Sequence, residues 1–366
     1  MRPGQNSRTA PLKSHKPKNI LLIRWKSIGD VVFTLPALRC LRSNFPDSHI
    51  TYLTSPEFLR LVKSFSVADE ILTVDRARLR RFYRGGIVEL WNLFRAIAKT
   101  RYDIVVDFQS YGETAWVSWL TRAPQRWGVL NRASRAWAYT HAVLRDDNAH
   151  PVDTNLRCLA ECGVDTSHPE NIFELPSENQ AAAERLSLEV GLRPDRPTVF
   201  IQPFTSTPGK DWPLKKWLAL ARRLRSLEIQ ALFGGGPADR ARLEPAISDN
   251  FPVAAGTDLL TSCGLAARCD LVIGPDTGLL HMASAAGCRT ILIKHLLWNA
   301  YPYGHPDWIL TPGEGRLQVA DIELEPVLAK ILHVIESVHG PESFASREPA
   351  SPAVDCGPLT NRNSNS

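Results

Sequence analysis

Asp30 lies in a short polar turn that follows a run of residues typical of a buried strand. Residues 19–23 read NILLI, and the turn after them ends in Gly29 and Asp30, where apolar residues begin to recur at helical spacing. Open α/β sheets bind ligands beyond the carboxyl ends of their strands, and a carboxylate there can accept a proton from a substrate hydroxyl. Asp is also a preferred helix N-cap, because its side chain accepts a backbone N–H that the helix leaves unpaired. The sequence therefore leaves two roles open for Asp30, general base and helix cap.

A second polar loop, GPDTG at residues 274–278, also joins a strand pattern to a helix pattern. The first turn of a helix has unpaired N–H groups and the positive end of the helix dipole, which together favour a phosphate. Gly278 allows close backbone approach, Thr277 adds a hydroxyl, and Asp276 can accept hydrogen bonds from hydroxyls. His281 follows in the first turn of the helix. We expect a phosphate-binding site here; an Asp-capped helix with a core histidine is the alternative.

Two further loops follow strand patterns in the second half of the chain. In QPFTSTPGKDWPLKKW, residues 202–217, Thr205 and Ser206 offer hydroxyls, and Lys210 could neutralise charge that grows on a departing phosphate. A solvated surface lysine is the alternative. In LFGGGPADR, residues 232–240, the glycines let the backbone pass close to a nucleotide, and Asp239 could hold a ribose hydroxyl. The sequence has neither GxxxxGK(S/T) nor a GxGxxG between strand and helix, which disfavours P-loop and NAD-binding proteins.

Short aliphatic runs and helical patterns alternate along the chain and would position these loops. The runs are apolar on both faces, as in parallel strands that helices cover on both sides. Such alternation indicates βαβ units and an α/β fold with doubly wound sheets. We predict strands at residues 20–24, 49–53, 70–74, 104–108, 198–202, 229–233, 271–273 and 290–293, and helices at 31–45, 86–99, 178–190, 214–226 and 279–286. Pro36 lacks an N–H that the first helix needs, so a kink or a late start is expected there.

The chain length of 366 residues suits two domains. The joint is expected between residues 174 and 197, where a helix pattern ends at Gly191 and LRPDRP follows. We predict two Rossmann-like domains, residues 18–175 and 176–340, that face each other across a cleft. Residues 1–17 and 341–366 are rich in Ser, Pro and Asn with little to bury, and we expect them to be disordered tails.

The composition, 44% hydrophobic and 22% charged, is ordinary for a soluble globular protein. No apolar stretch approaches the roughly 18 residues that cross a bilayer. The short apolar run after the basic N-terminus does not suit a secretory signal, so we expect a cytoplasmic protein. The seven cysteines are odd in number, form no CxxC and lack histidines at ligand spacing. We therefore expect free thiols rather than a zinc site.

Positive charge is concentrated in the first half of the chain. Residues 1–170 contain 25 Lys and Arg against 16 Asp and Glu, a net charge of +9, whereas residues 171–366 contain 18 against 22, a net charge of −4. This asymmetry indicates an anionic partner, such as phosphates, a membrane surface or nucleic acid; a solvated loop is the alternative. The basic residues lack an RNP or helix-turn-helix context, which disfavours nucleic acid. The excess is densest at Arg76, Arg78, Arg80, Arg81 and Arg84.

Taken together, these stretches resemble glycosyltransferase family 9, the ADP-heptose:lipopolysaccharide heptosyltransferases. Residues 19–45 are similar to the opening strand, SIGD turn and helix of that family, and YDIVVDFQS at 102–110 is similar to its D-x-V-(I/V)-D-(L/F)-Q-G strand, with Ser110 in place of the usual glycine. KDWP, GGGPADR and DTGLLHMASAAG match the later motifs in the expected order. The resemblance covers residues 19–335. It implies a GT-B fold, inversion at the anomeric carbon of the sugar, and catalysis without a metal or other cofactor.

Carried over residue by residue, the resemblance makes Asp30 the general base and Lys210 the lysine that contacts the donor phosphates. The implied partners are a nucleotide-sugar donor, ADP-heptose, and an anionic glycolipid acceptor at the inner face of the cytoplasmic membrane, which the five arginines would face; no nucleic acid is expected. Asp239 stands where the family often has Glu. The donor-binding residues are Ser27, Gly29, Thr205, Ser206, Asp239, Asp276, Thr277, Gly278 and His281.

One segment departs from the family pattern. Residues 293–308 read IKHLLWNAYPYGHPDW, where many relatives have a (L/F)-G-x-T-x-P loop near the donor. The second hypothesis is therefore a related transferase that uses another nucleotide-sugar or another glycan acceptor. The third is a nucleotide-sugar-binding protein without catalysis, against which the presence of both Asp30 and Lys210 argues.

Overall fold

The computed structural model describes residues 16–79, 85–295, 299–313 and 318–340. Its strands form two six-stranded sheets, in which all neighbouring strands pair in parallel. The first sheet contains β1 (Asn19–Ile23), β2 (His49–Thr54), β3 (Glu70–Thr73), β4 (Ile104–Asp107), β5 (Gln125–Leu130) and β6 (His141–Leu144). The second contains β7 (Thr198–Ile201), β8 (Gln230–Gly235), β9 (Val253–Ala255), β10 (Leu271–Pro275), β11 (Thr290–Ile293) and β12 (Ile309–Leu310).

Both sheets have the strand order of a Rossmann-like domain. The orders are β3-β2-β1-β4-β5-β6 and β12-β11-β10-β7-β8-β9, so each chain segment starts at the centre, winds to one edge and then returns to wind to the other. The predicted α/β class with two doubly wound sheets is therefore confirmed. The helices are α1 (Ile28–Val32), α2 (Leu35–Asn44), α3 (Leu59–Ser64), α4 (Arg76–Leu79), α5 (Gly85–Ala98), α6 (Gly112–Leu120), α7 (Pro151–Glu161), α8 (Ser177–Glu189), α9 (Leu214–Ser226), α10 (Glu244–Ser248), α11 (Leu259–Ala267), α12 (Gly278–Ala285) and α13 (Leu324–His339).

Helices cover each sheet on both faces because alternate strand residues point to opposite sides. In β1, Ile20 and Leu22 join one apolar cluster with residues of α2, α3 and α7, whereas Leu21 and Ile23 join a second cluster with residues of α5 and α6. The first of these clusters continues into one face of the second sheet. The two domains thus share an apolar core on one side.

The first predicted helix, residues 31–45, is divided into two. Helix α1 ends at Val32, and α2 begins at Leu35 with Pro36 in its first turn, where a missing N–H costs nothing. The Thr34 hydroxyl at the break donates to the carbonyl oxygen of Val31 at 2.7 Å and lies 2.8 Å from the Tyr52 hydroxyl. The late start that Pro36 predicts is therefore the start of α2.

A buried carboxylate, Asp107, shapes the turn after β4. Its side chain accepts the backbone N–H groups of Gln109 and Ser110, both at 2.8 Å, and the Tyr139 hydroxyl at 2.6 Å. The turn leaves Ser110 with φ of 43°, in the left-handed region that favours glycine. This conformation gives a physical reason for the glycine that the family usually has at this position.

The expected domain boundary, between residues 175 and 176, falls between α7 and α8. Of the two expected tails, residues 1–15 and 341–366 lie outside the described residues, so their disorder stays a prediction. Among the helices that are described, none is long and apolar enough to cross a membrane.

Candidate active site

A cleft of about 1060 Å³ separates the two domains at the carboxyl ends of their central strands. Residues from both domains line it, as expected for a site at the point where the winding of a parallel sheet reverses. The lining includes all the residues predicted to be catalytic or donor-binding: Ser27, Gly29, Asp30, Thr205, Ser206, Lys210, Asp239, Asp276, Thr277, Gly278 and His281. The structure therefore brings the predicted residues to one place, while their individual roles stay predictions.

Asp30 is the third residue of α1 and not its N-cap. The cap is Ser27, whose backbone has φ of 56° and ψ of 140°, a conformation that costs free energy in any residue except glycine. From this position the Ser27 hydroxyl donates to Asp30 Oδ2 at 2.6 Å. The strained turn therefore fixes the direction of the Asp30 carboxylate, and the helix-cap interpretation does not describe this residue.

A buried arginine at the end of β1 also contacts Asp30. Arg24 Nη2 lies 2.5 Å from Asp30 Oδ2, and Arg24 Nη1 donates to the carbonyl oxygen of Phe108. Burial raises the pKa of the Asp30 carboxyl, but the charge of Arg24 and the hydrogen bond from Ser27 outweigh burial and hold the pKa below its ordinary value. Asp30 is therefore ionised at neutral pH. Sequence reasoning missed Arg24, although a charged residue directly after a buried strand was a usable signal.

On the other side of the cleft, Asp276 is the centre of a charged group. Its Oδ1 lies 3.0 Å from His281 Nε2, and its Oδ2 lies 3.5 Å from Lys210 Nζ. Burial raises the pKa of the Asp276 carboxyl, but the His281 hydrogen bond and the nearby lysine charges outweigh burial and lower it. The Thr277 hydroxyl and His281 Nδ1 are buried and have no hydrogen-bond partner in the described part of the chain. The group is thus anionic at its centre, with polar atoms left for a ligand.

Lys294 is a second lysine of this group that sequence reasoning did not identify. It directly follows β11, its residue is 5% exposed, and it lines a small pocket together with Lys210 and Asp276. Burial lowers the pKa of Lys294, and the Asp276 carboxylate opposes that change. Lys294 is the second residue of the segment 293–308, which departs from the family resemblance.

The two domains contact each other at two glycines on the floor of the cleft. A Cβ atom at Gly278 would lie 2.4 Å from Ile28 Cβ, and one at Gly29 would lie 3.1 Å from His281 Cδ2. No side chain fits at position 278 without separating α12 from α1. The absence of both side chains therefore sets how closely Asp30 approaches the Asp276 group.

His150 forms a second contact between the domains. Its Nδ1 accepts the backbone N–H of Val152 at 3.1 Å, so its Nε2 donates to the carbonyl oxygen of Tyr301, 3.0 Å away. The ring also packs edge-on against Phe33, with centroids 4.9 Å apart. Burial lowers the pKa of His150 from 6.5 to about 4. The residue is therefore neutral at physiological pH, in the tautomer that joins the domains.

The far end of the cleft is organised by Arg242, which the sequence also did not single out. Its guanidinium lies 3.5 Å from the Phe204 ring centroid, and it pairs with Asp239 Oδ1 at 3.1 Å and with Asp211 Oδ2 at 3.0 Å. Asp211 Oδ1 in turn accepts the backbone N–H of Thr205 at 2.7 Å. Asp239 Oδ2 accepts the backbone N–H of Gly236 at 2.9 Å. These contacts hold the loop after β7 against the loop after β8.

The two described arginines of the predicted basic cluster lie away from these residues. Arg76 and Arg78 are on α4 and are not among the residues lining the cleft, and Arg78 pairs with Asp75 at 3.2 Å. Arg80, Arg81 and Arg84 lie outside the described residues. Within the described ranges, no group of three or more His, Cys, Asp or Glu side chains is placed to hold a metal ion.

Two facing Rossmann-like domains with a cleft between them are the GT-B architecture. A sequence model of glycosyltransferase family 9 (heptosyltransferase) matches residues 90–293, and the chain belongs to that family. The lipopolysaccharide core heptosyltransferase OpsX of Haemophilus influenzae is 22% identical over 84% of this chain and 88% of its own length.

Solved structures have the same fold. A family 9 glycosyltransferase from Veillonella parvula has a TM-score of 0.77 and 23% identity, covering 87% of this chain and 97% of its own. The Escherichia coli heptosyltransferase WaaC, solved with ADP-2-deoxy-2-fluoro heptose, has a TM-score of 0.69 and 19% identity, covering 86% of this chain and 99% of its own.

Proposed function

We propose that the protein is an inverting glycosyltransferase that moves heptose from ADP-heptose to the core of lipopolysaccharide. One observation carries this proposal: a carboxylate held by the first domain and a pocket rich in cations and helix N–H groups from the second domain open into the same cleft. The names of OpsX and of the WaaC complex support the acceptor and the donor.

The donor diphosphate would bind at the start of α12. Its first N–H groups, the Thr277 hydroxyl and the Lys210 ammonium all line the cleft there. A helix N-terminus favours phosphate, and a lysine beside it stabilises charge on a departing diphosphate. The nucleoside would then extend toward Phe204, Asp239 and Arg242, where a ribose hydroxyl can donate to the Asp239 carboxylate.

The reaction would be a single displacement at the anomeric carbon of the sugar. The acceptor oxygen forms a bond to that carbon, the bond from the carbon to the phosphate oxygen breaks, and ADP leaves with both electrons. The acceptor proton passes to Asp30, which is ionised because Arg24 and Ser27 lower its pKa. Attack from the Asp30 side and departure on the Lys210 side place the two groups on opposite faces of the sugar, which inverts the configuration.

The site residues can stabilise the negative charge of the leaving group themselves. Lys210 and Lys294 both lie beside Asp276. These two cations and the α12 N–H groups suit a diphosphate, which makes metal-independent catalysis part of the proposal. Turnover that survives removal of divalent cations with EDTA is the expected result.

The acceptor would be an anionic glycolipid, and the enzyme would work at the inner face of the cytoplasmic membrane. A second candidate keeps the fold and changes the donor or the acceptor glycan. Lys294 favours this candidate, because it lies beside Lys210 and Asp276 and belongs to the segment that departs from the family resemblance.

The proposal is tested with purified protein, ADP-heptose and a core glycolipid that lacks heptose. We expect mass spectrometry to detect an added heptose, and Asp30→Asn to give no product. A parallel thermal-shift screen compares ADP-heptose with UDP-sugars. Stabilisation by a UDP-sugar and not by ADP-heptose, together with no heptose transfer, would replace the first candidate with the second.

A further inference from the structure

The first domain exposes large apolar side chains on one face. Among the described residues, twelve large hydrophobic side chains are exposed, and nine of them fall between positions 87 and 144. Most belong to α5 and α6, which lie on the same face of the first sheet because Leu93 and Ile97 of α5 share an apolar cluster with Val117 of α6. The nine are Ile87, Val88, Leu90, Trp91, Trp116, Trp119, Leu120, Trp137 and Leu144.

Three tryptophans form the centre of this face. Trp116 and Trp119 project from α6, and Trp137 lies in the two-turn 3₁₀ helix Ala133–Ala138. Their rings contact one another edge to face, with centroids 4.8 to 6.3 Å apart, although each residue is 44% to 54% exposed. We call these three residues the tryptophan cluster. An apolar surface of this kind on a soluble domain marks an interaction site.

The charge around the tryptophan cluster is positive. Between Gly112 and Ala138 the chain has four arginines and one glutamate, a net charge of +3. Arg122, the second residue after α6, and Arg132, directly before the 3₁₀ helix, are both exposed. A second copy of the chain placed symmetrically on this face would bring two surfaces of the same positive net charge together, which disfavours self-association.

The same face reaches the edge of the sheet that carries the active site. Arg135 of the 3₁₀ helix donates to the carbonyl oxygen of Ser110, which follows β4. Strand β4 pairs with β1, so Ser110 and Asp30 both follow neighbouring strands at their carboxyl ends. A surface bound to the tryptophan cluster would therefore lie next to the first-domain side of the cleft.

We propose that the tryptophan cluster, with Arg122 and Arg132, docks the enzyme on an anionic phospholipid bilayer. Tryptophan rings are enriched at the level of lipid headgroups, where one part of the ring is apolar and the N–H is hydrated. Arginines near the surface add attraction to anionic lipids. The purpose of docking rests on the proposed glycolipid acceptor, whereas the binding itself is measured without any turnover.

The test is co-sedimentation of the full chain with vesicles. Phosphatidylglycerol mixed with phosphatidylcholine is compared with phosphatidylcholine alone. We expect the triple variant Trp116→Gln/Trp119→Gln/Trp137→Gln to lower the partition coefficient roughly tenfold or more. The matched control is Ile172→Gln/Leu188→Gln, which removes two exposed apolar side chains elsewhere and should bind like the wild type.

A second variant tests the charge. Arg122→Gln/Arg132→Gln should weaken binding by about fivefold for each arginine, and added salt should have a similar effect on the wild type. Arg223→Gln, an exposed arginine on α9, is its control. Circular dichroism and the thermal shift produced by ADP show whether each variant retains its fold.

Three results would overturn the proposal. The first is equal partition of the triple variant and its control, because the tryptophans would then contribute nothing to binding. Equal binding to neutral and anionic vesicles is the second. The third is a wild-type dimer in sedimentation equilibrium that the triple variant converts to a monomer, because that result assigns the face to a second copy. Failure of heptose transfer alone would count against the proposed function and not against lipid binding.

Discussion

Replacing Arg24 with Gln is expected to move the acidic limb of the pH–activity profile upward. Arg24 Nη2 lies 2.5 Å from Asp30 Oδ2, and an adjacent arginine lowers the pKa of an aspartate by about 1–3 units. Each unit corresponds to about 1.4 kcal/mol in favour of the ionised carboxylate. The Asp30 side chain is 27% exposed, so solvent screens part of the attraction and about 1–2 units is the expected shift.

The assay is kcat/KM from ADP release, measured from about pH 2.5 to about pH 9, because this ratio reports ionisations of the free enzyme. Wild-type activity should persist on the acidic side until the pH falls below the ordinary aspartate range. In Arg24→Gln the decline should begin about 1–2 pH units higher. Arg24→Lys retains the positive charge and is the matched control.

Stability must be followed in the same experiment. The pKa of Asp30 is lowered in the folded state, so its ion pair contributes stability above the ordinary value of 3.8, and this is lost as pH falls through the folded pKa. Arg24→Gln also loses the hydrogen bond to Phe108, so melting temperatures at each pH separate unfolding from titration. An acidic limb at the same pH in wild type and Arg24→Gln would refute the reasoning.

Four other outcomes are expected. Asp30→Asn should reduce transfer at least about 100-fold while ADP still binds by calorimetry, because proton acceptance is lost but the donor pocket of the second domain keeps its residues; loss of ADP binding would contradict this. Lys210→Ala should lower both ADP affinity and kcat, the latter by roughly 100-fold; an unchanged kcat would remove Lys210 from the leaving-group role. Ser110→Gly should raise the free energy of unfolding in urea by up to about 1 kcal/mol, because glycine relieves the positive φ, whereas a destabilised variant would show that the serine hydroxyl matters more. Burial of neutral His150, with a pKa of about 4 against 6.5, predicts that roughly 3 kcal/mol of unfolding free energy is lost as pH falls from 6.5 to about 4; His150→Phe should flatten that dependence in acid melts, and an equal slope would count against it.

The sequence predicted the central strands well because their residues are apolar on both faces. Strands β1, β2, β4, β7, β10 and β11 lie within two residues of their expected bounds. Strand β5 was missed because it contains Arg126 and Gly128, which break the apolar run. At Gly128 a Cβ atom would lie 2.8 Å from the Tyr139 ring, so the glycine is required by packing that a linear pattern does not reveal.

The site was predictable where one loop carries its own chemistry. The turns around Asp30, Lys210 and Asp276 each follow a strand, and the parallel sheets bring them to one cleft. Arg24 and Lys294 were not predicted because each acts on a carboxylate that lies close only in the folded chain. Arg24 was read as the end of a strand, and Lys294 as part of an unfamiliar segment.

The contact between Gly29 and Gly278 also restricts how the cleft can open. The Gly278 backbone meets the Cβ atom of Ile28 there, and a Cβ atom does not move with a change of rotamer, so the lobes must rotate as units about this point. Such a rotation moves the nucleoside end of the cleft farthest and the reacting carbon least. Spent nucleotide would then escape by its base first, while the acceptor side remains nearly stationary.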